Sequence, residues 1–321
     1  MSEIQYPAHP GECLRDSVEA SGLTQNEIAA KLNMDRGSLR RLLTGRSPIT
    51  PKSARALEAI GWSTAEHWMR LQAVFDNHPM KPIDAETPEE LKRILRERDV
   101  QMPPRGKNRT NNHTETWVAC RLLAALAESS LLQYPLRVAH FDRPDLIITL
   151  PSGQIGIELV EAIATDQARV DAQINFNRAD NESSDVEVIP ISRIRVSDAR
   201  RSQPEIKALA RCKAWNEPPF MGDSIERDWL EGMLHFIEKK VERFSHEEFT
   251  KYPINWLQIH DNWSPRPYEN IAIDMLERKL SESEWQKPFN KVFVQRSHSI
   301  WEFAKDFQVV KHPIPQPWLP E

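Results

Sequence analysis

The sequence predicts a small all-helical domain followed by a larger mixed α/β domain. Within residues 1–78, helix-start signals recur at close spacing, among them the predicted capping boxes Thr24–Glu27 and Ser63–Glu66. From residue 114 onward, an apolar-periodic helix is followed by strand-like runs that turn residues separate. The length of 321 residues is about twice that of an ordinary domain, which allows two separate cores.

The interval 79–113 between these domains has the character of a charged linker. Pro103 and Pro104 interrupt regular structure, while Thr87 precedes a short, highly charged helix. The end of the interval is basic and has no acidic neighbours: Arg105, Lys107 and Arg109. We therefore predict domains at 1–78 and 114–321 that are joined by this linker.

The second domain is expected to contain the element order α-β-β-β, an insert, α-β and then α-β. Helices are predicted at 114–130, 224–244 and 268–280. Strands are predicted at 136–141, 145–150, 155–163, 186–196, 254–260 and 291–295. This order is typical of a mixed sheet flanked by helices.

Composition excludes several classes of protein. The net charge of −5, with 40% hydrophobic and 28% charged residues, is ordinary for a globular protein. Three cysteines without CxxC spacing argue against a disulfide scaffold or a zinc site, and the 10 glycines form no phosphate-binding loop motif. No apolar run reaches the roughly 20 residues of a membrane span, and no signal-peptide pattern is present. We expect a cytoplasmic protein with no membrane partner.

A helix, a tight turn and a second helix are predicted between Thr24 and Leu43. The second helix is rich in arginine outside its apolar positions, and arginine makes bidentate contacts to guanine edges in the DNA major groove. The residues that lie outside the predicted core are Arg36, Ser38, Arg40, Arg41 and Arg46. The alternative is a helical bundle with a solvated arginine face.

Residues 9–72 contain five motifs that occur in the same order and at the same spacing in one known family. They are His9-Pro10-Gly11-Glu12, Gly22-Leu23-Thr24-Gln25-Asn26-Glu27-Ile28-Ala29, Leu43-Thr44-Gly45-Arg46, Ile49-Thr50-Pro51 and Trp68-Met69-Arg70-Leu71-Gln72. This segment resembles the HigA-type antitoxins of the lambda-repressor-like (XRE) helix-turn-helix family. The resemblance implies a homodimer that binds double-stranded DNA and a possible toxin partner. It places Arg36, Ser38, Arg40 and Arg41 on the recognition helix and Gln25 against a phosphate.

Two carboxylates of the second domain are predicted to lie on one face of a hairpin. With a two-residue turn at Ser152-Gly153, Asp145 pairs opposite Val160, and Glu158 is its diagonal neighbour. Two like charges among apolar residues need compensation, which a hard cation such as Mg²⁺ or Mn²⁺ provides. Such an ion would support phosphodiester cleavage. Alternatively, Asp145 ends a loop and Glu158 faces solvent.

The segments Arg143-Pro144-Asp145 and Gly156-Ile157-Glu158-Leu159-Val160-Glu161 resemble the PD-(D/E)xK nuclease superfamily. The resemblance implies a restriction-endonuclease-like αβββαβ fold, catalytic and metal-binding roles for Asp145 and Glu158, and Glu115 as a further metal ligand. Val160 occupies the position where the family has lysine. Some members supply this lysine from the following helix, which here carries Lys239 and Lys240; Lys240 borders the apolar stripe and is the preferred substitute.

Two hypotheses follow for the whole chain. In the first, the helix-turn-helix delivers a metal-dependent endonuclease to DNA. In the second, the chain is a HigA-like transcriptional autoregulator whose nuclease-like domain is catalytically inactive and serves as a sensor or partner-binding platform. Valine in place of the family's lysine motivates the second hypothesis.

Overall fold

The computed structural model of the chain divides into two compact units. One unit contains residues 1–81 with the short segments 99–101 and 110–113, and the other contains 82–98, 102–109 and 114–321. The structure describes residues 10–43, 47–76, 80–98, 100, 102–105, 109–141, 143–180, 194–211, 222–244, 250–283, 285, 287–306, 308–316 and 318. No helix in these ranges combines the length and the apolar character that a membrane crossing requires.

The described part of the first unit is helical. Its helices are α1 (Pro10–Ser21), α2 (Gln25–Lys31), α3 (Arg36–Leu43), α4 (Pro51–Ala59) and α5 (Ala65–Asp76). The predicted capping box at α2 is confirmed, since Glu27 N donates to Thr24 Oγ1 at 3.3 Å and Thr24 N donates to the Glu27 carboxylate at 2.8 Å. At α5 the cap is Thr64, whose hydroxyl accepts from His67 N at 3.1 Å, because Ser63 has a left-handed φ of 60°.

The second unit is a mixed α/β structure. Its strands are β1 (Ile83–Ala85), β2 (Leu136–His140), β3 (Leu146–Leu150), β4 (Gly153–Ala162), β5 (Ile254–Asp261), β6 (Lys291–Arg296), β7 (Ser299–Ala304) and β8 (Val309–Pro313). Its helices are α6 (Pro88–Glu97), α7 (Asn111–Leu126), α8 (Thr165–Asp180), α9 (Gln203–Leu209), α10 (Ser224–Phe244) and α11 (Glu269–Ser281).

The strands form one sheet in which spatial order follows chain order. Neighbours from β1 to β4 and from β6 to β8 are antiparallel, whereas β4, β5 and β6 are parallel. Parallel neighbours need crossover connections. Helices α8, α9 and α10 connect β4 to β5, and α11 connects β5 to β6. One face of the sheet packs on α10 and α11 through a buried cluster that includes Trp229, Met233, Leu257, Ile259, Ile273 and Val294.

Part of the predicted linker belongs to the sheet unit. Strand β1 pairs with β2, with Ile83 opposite Val138, and Leu91 and Leu95 of α6 are fully buried. Helix α6 is therefore amphipathic, and its apolar face is buried within the second unit although the rest of the helix is charged. For this reason residues 82–98 belong to the second unit and are not a linker. Of the strand predicted at 186–196, residues 186–193 lie outside the described part, and 194–196 form no strand.

Gly232 on α10 is in tight contact with an aromatic ring. A Cβ at this position would lie 2.6 Å from Trp263 Cζ3, and Trp263 is buried. We expect Gly232→Ala to lower the free energy of unfolding by about 2 kcal/mol, because the indole cannot move aside without strain. Urea unfolding measures this, with Glu231→Ala at the exposed neighbouring position as the control. Equal stability of the two variants would contradict the close packing.

Candidate functional site

The register of the β3–β4 hairpin places the predicted carboxylates directly opposite each other. Leu150 pairs with Gly153 and Leu146 pairs with Ile157, where the ladder ends. Extending this register by one residue puts Asp145 opposite Glu158. The predicted pairing of Asp145 with Val160 is therefore wrong by two residues. Gly153 has a φ of 136°, which glycine adopts readily, and it enters the ladder as the first residue of β4 instead of lying in the turn.

Three of the predicted site residues come together on this face of the sheet. Lys240 of α10 donates from Nζ to Glu158 Oε2 at 2.6 Å and lies 3.9 Å from Asp145 Oδ2. Asp145 Oδ2 also accepts a hydrogen bond from the backbone nitrogen of Leu159 at 2.6 Å. We call Asp145, Glu158 and Lys240 the carboxylate–lysine site. The neighbouring candidate, Lys239, has an exposed side chain on α10.

Glu158 is the buried member of the carboxylate–lysine site, whereas Asp145 and Lys240 are partly buried. Glu158 is only 3% exposed, and its Oε1 atom has no hydrogen-bond partner within the described part of the chain. Burial raises the pKa of Asp145 to about 7; the Lys240 ammonium opposes this rise, and the negative charges of Glu158 and Glu115 add to it. Glu158 therefore does not face open solvent.

The predicted third ligand, Glu115, has a different partner. Its Oε2 atom lies 2.9 Å from His140 Nε2, which belongs to the end of β2. Among the residues that the structure describes, no three His, Cys, Asp or Glu side chains form a group able to hold a metal ion. Glu115 thus influences Asp145 through its charge and does not join Asp145 and Glu158 as a third ligand in this arrangement.

Val160 and Glu161 occupy opposite faces of β4. Val160 packs against the buried cluster beneath α10, whereas the Glu161 carboxylate accepts hydrogen bonds from Arg105, from Arg109 at 2.8 Å and from Asn262 at 3.0 Å. Burial alone would raise the pKa of Glu161, but the two arginines outweigh it, and the pKa is lowered. The prediction that the basic end of 79–113 lacks acidic partners is therefore wrong for both arginines; Lys107 lies outside the described residues.

The raised pKa of Asp145 has a consequence for stability. The folded protein holds this proton up to about pH 7, whereas the unfolded chain releases it near pH 4, so ionised Asp145 lowers stability as the pH rises between these values. We expect Asp145→Asn to raise the free energy of unfolding by roughly 1–3 kcal/mol at pH 8 and by less at pH 5.

Urea unfolding at both pH values checks this expectation. The matched control is Asp84→Asn, because Asp84 forms an exposed ion pair with Arg137 and should show little change at either pH. Destabilisation by Asp145→Asn at pH 8 would show that the ionised carboxylate is well accommodated in the folded protein.

The predicted DNA-contacting residues lie on the helical unit. The side chains of Arg36, Arg40 and Arg41 on α3 are exposed, as is Gln25 at the start of α2. Ser38 has local partners, since its hydroxyl interacts with Asp35 and accepts from Arg41 Nη2 at 2.9 Å. Arg46 lies outside the described residues.

Helix α3 is fixed by its apolar face and by its carboxyl end. Leu39 and Leu42 are buried in the core of the helical unit, so the arginines must lie on the other side of the helix. Arg15 of α1 donates to the carbonyl of Leu43 at 2.8 Å and satisfies a group at the helix end. Neither Arg15 nor His140 was a predicted site residue, because their partners are distant in the sequence.

Comparison with known proteins places the helical unit in a family. A family model described as a helix-turn-helix domain matches residues 11–66. Virulence-associated protein A of Dichelobacter nodosus is 36% identical over 75 residues, which are 23% of this chain and 74% of that protein. The uncharacterized HTH-type transcriptional regulator YddM of Escherichia coli (strain K12) is 29% identical over 72 residues, 22% of this chain and 76% of that protein.

A solved structure shows a similarity of the same extent. An addiction module antidote protein of a HigA family from Coxiella burnetii is 29% identical, with a TM-score of 0.22, over 22% of this chain and 79% of that one. Each of these matches covers less than a quarter of the chain. Through its helix-turn-helix domain, the chain belongs to the family of virulence-associated protein A.

Proposed function

We propose that this protein binds double-stranded DNA through its helix-turn-helix domain and cleaves phosphodiesters in its sheet domain with the help of a divalent cation. The observation that supports the proposed cleavage is the carboxylate pair of the buried Glu158 and the partly buried Asp145, which lies beside the Lys240 ammonium. Such a group of charges has a high energy in an apolar core, and it is typical of a site with a chemical role.

The proposal of DNA binding rests on the helix-turn-helix domain and the exposed arginines of α3. In this motif the second helix enters the major groove, and two copies of the domain contact two half-sites. A homodimer on duplex DNA is therefore part of the proposal. A toxin partner is a further expectation from the HigA-type resemblance.

The carboxylate–lysine site fits a hard cation such as Mg²⁺ or Mn²⁺. Glu158 Oε1 is a buried oxygen without a hydrogen-bond partner in the described ranges, and Asp145 supplies a second carboxylate opposite it. Oxygen donors of this kind are the ligands these ions prefer. A cation held by Asp145 and Glu158 would polarise the phosphodiester and make a water molecule more acidic.

The chain's own residues orient this site and balance its charge. The backbone nitrogen of Leu159 holds Asp145 Oδ2, which fixes the direction of that carboxylate. Glu158 in turn holds the Lys240 ammonium, so a positive charge lies next to the place where a phosphate would gain negative charge. Lys240 thus supplies from α10 the charge that Val160 does not provide.

Plasmid cleavage tests the proposal. The full chain should nick or linearise supercoiled plasmid in Mg²⁺ or Mn²⁺ and leave it intact in EDTA. Asp145→Asn should abolish cutting, whereas Asp84→Asn in the exposed pair with Arg137 should keep it. The substrate should be a plasmid that carries the promoter of the gene for this protein. If the unaltered chain does not cut this plasmid in either cation, the proposal is overturned.

The second candidate is a HigA-like regulator whose sheet domain is catalytically inactive. Two observations favour it: Val160 packs into the core at the position of the family's lysine, and no three-ligand metal group forms among the described residues. This candidate predicts binding to promoter DNA without metal-dependent cleavage under any of the conditions above.

Both candidates predict the same result for the recognition helix. Arg40→Ala and Arg41→Ala should each weaken binding to DNA of the chain's own promoter by roughly 10-fold or more, because each removes a contact to a base or a phosphate. A gel shift measures this, with Arg70→Ala on the exposed surface of α5 as the control. Equal affinity of the three variants would show that α3 does not contact the DNA.

A further inference from the structure

We propose that a lysine-lined cleft beside the carboxylate–lysine site binds a backbone phosphate of the nucleic-acid strand on which that site acts. The inference rests on the proposed function, since it names where the substrate strand continues. It goes beyond that function because it assigns a binding role to three lysines that neither the sequence motifs nor the resemblances single out.

The lysine cleft lies at the edge of the sheet where β5 and β6 begin. Its volume is about 380 Å³, and its lining includes Lys251, Lys287 and Lys305. Lys251 precedes β5, Lys287 precedes β6 and Lys305 follows β7, so the directions of these strands bring all three lysines to one edge. Among its described lining residues, the charged side chains are these three lysines.

Two elements connect the cleft to the carboxylate–lysine site. Tyr252 lines the cleft and also covers Gly156 together with Pro144; a Cβ on Gly156 would lie 2.8 Å from Tyr252 Cδ2 and 3.0 Å from Pro144 Cγ. Gly156 lies two residues before Glu158 on the same face of β4, about 7 Å along the strand. Phe244, another lining residue, lies one helical turn after Lys240 on α10.

The loops that carry the lysines are tied together at the floor of the cleft. Asn255 N donates to Asn290 Oδ1 at 2.8 Å, and Asn290 N donates to the carbonyl of Asn255 at 2.7 Å. The Asn255 amide also donates to the carbonyl of Tyr252 at 2.6 Å. Since these amide groups hold the loops, recognition falls to the lysine ammoniums, which bind phosphate as point charges without reading bases. The ligand class is therefore a phosphodiester of any sequence.

Oligonucleotide binding without metal tests the inference. The full chain carrying Arg40→Ala and Arg41→Ala, which weaken the recognition helix, is titrated against a fluorescent single-stranded oligonucleotide in EDTA at several salt concentrations. Adding Lys251→Gln, Lys287→Gln and Lys305→Gln should weaken binding about 10-fold and lower the salt slope by about 0.7, the value for one phosphate of a single strand. The matched control, Lys207→Gln, Lys279→Gln and Lys311→Gln, has the same net charge and should bind within about twofold of the parent.

Further arms separate the outcomes. Restoring charge with arginine at the three cleft positions should restore binding, which shows that positive charge is what these positions contribute; thermal unfolding of the glutamine variant shows whether it is folded. Unchanged affinity and salt slope in the cleft variant would overturn the inference, as would complete displacement of the oligonucleotide by millimolar inorganic phosphate, which would indicate a site for free phosphate. If the cleft lysines matter but the chain never cuts DNA, the binding site stands and the proposed cleavage fails. If the chain cuts DNA and the cleft variant binds normally, the proposed cleavage stands and the inferred phosphate-binding site fails.

Discussion

Glu158→Gln is expected to lower the rate of metal-dependent plasmid cleavage by about 1000-fold. The substitution keeps the shape of the side chain but removes the negative charge that faces both Lys240 and the proposed cation. It also replaces one carboxylate oxygen by an amide nitrogen, which cannot coordinate a cation. The initial rate of loss of supercoiled plasmid measures the effect.

The control for this variant is Glu97→Gln, an exposed carboxylate at the end of α6. Its rate should equal that of the unaltered chain. Thermal unfolding of Glu158→Gln should show a folded protein, because Lys240 still lies near Asp145. A folded Glu158→Gln variant that cuts at the normal rate would exclude Glu158 from the reaction.

Lys240→Met is expected to lower the free energy of unfolding by about 3 kcal/mol at pH 8 without added metal. The change removes the hydrogen bond to Glu158 Oε2 and leaves the buried Glu158 and the partly buried Asp145 without a compensating charge. The double variant Lys240→Met/Glu158→Gln should recover most of the lost stability, because it also removes the charge that Lys240 balances. Urea unfolding of the four proteins in this cycle measures the coupling.

Lys239→Met provides the control for Lys240→Met on the same helix. Its side chain is exposed, so its stability should change little. Equal effects at the two positions, or a double variant that is no more stable than Lys240→Met, would show that the ion pair with Glu158 does not form in solution.

The helical unit could be predicted from the sequence because its signals are local. A side chain and a backbone group three residues apart define the cap of α2, and the apolar spacing of Leu39 and Leu42 orients α3. The match to a helix-turn-helix model over residues 11–66 agrees with that prediction. What these signals do not give is the contact of Arg15 with the end of α3, which joins residues 28 positions apart.

The sheet unit was predicted in outline but not in register. The run Pro151-Ser152-Gly153-Gln154 allows more than one two-residue turn, and local propensity does not choose between them. The structure forms the turn at Pro151 and Ser152, with Gly153 already paired to Leu150. A two-residue shift keeps every side chain on its face, which is why Asp145 and Glu158 were still predicted to share one.

Partners from distant segments were the least predictable part of the site. The apolar stripe of α10 gives the direction of Lys240 but not the strand that it meets, and the sequence alone left Lys239 as an alternative. The pairing of Glu115 with His140 depends on how α7 lies across the end of β2. The resemblance to the PD-(D/E)xK superfamily implies a metal-binding role for Glu115, and nothing local in the sequence indicates its contact with His140.

Binding of Mn²⁺ to the full chain tests most directly whether Asp145 and Glu158 form a cation site. The ion's solution electron paramagnetic resonance signal decreases when it is bound, so a titration gives both the number of sites and their affinity. We predict one bound Mn²⁺ per chain, lost in Glu158→Gln and in Asp145→Asn but retained in Glu97→Gln. No binding by the unaltered chain, or equal binding by all four proteins, would contradict the proposed metal-dependent activity.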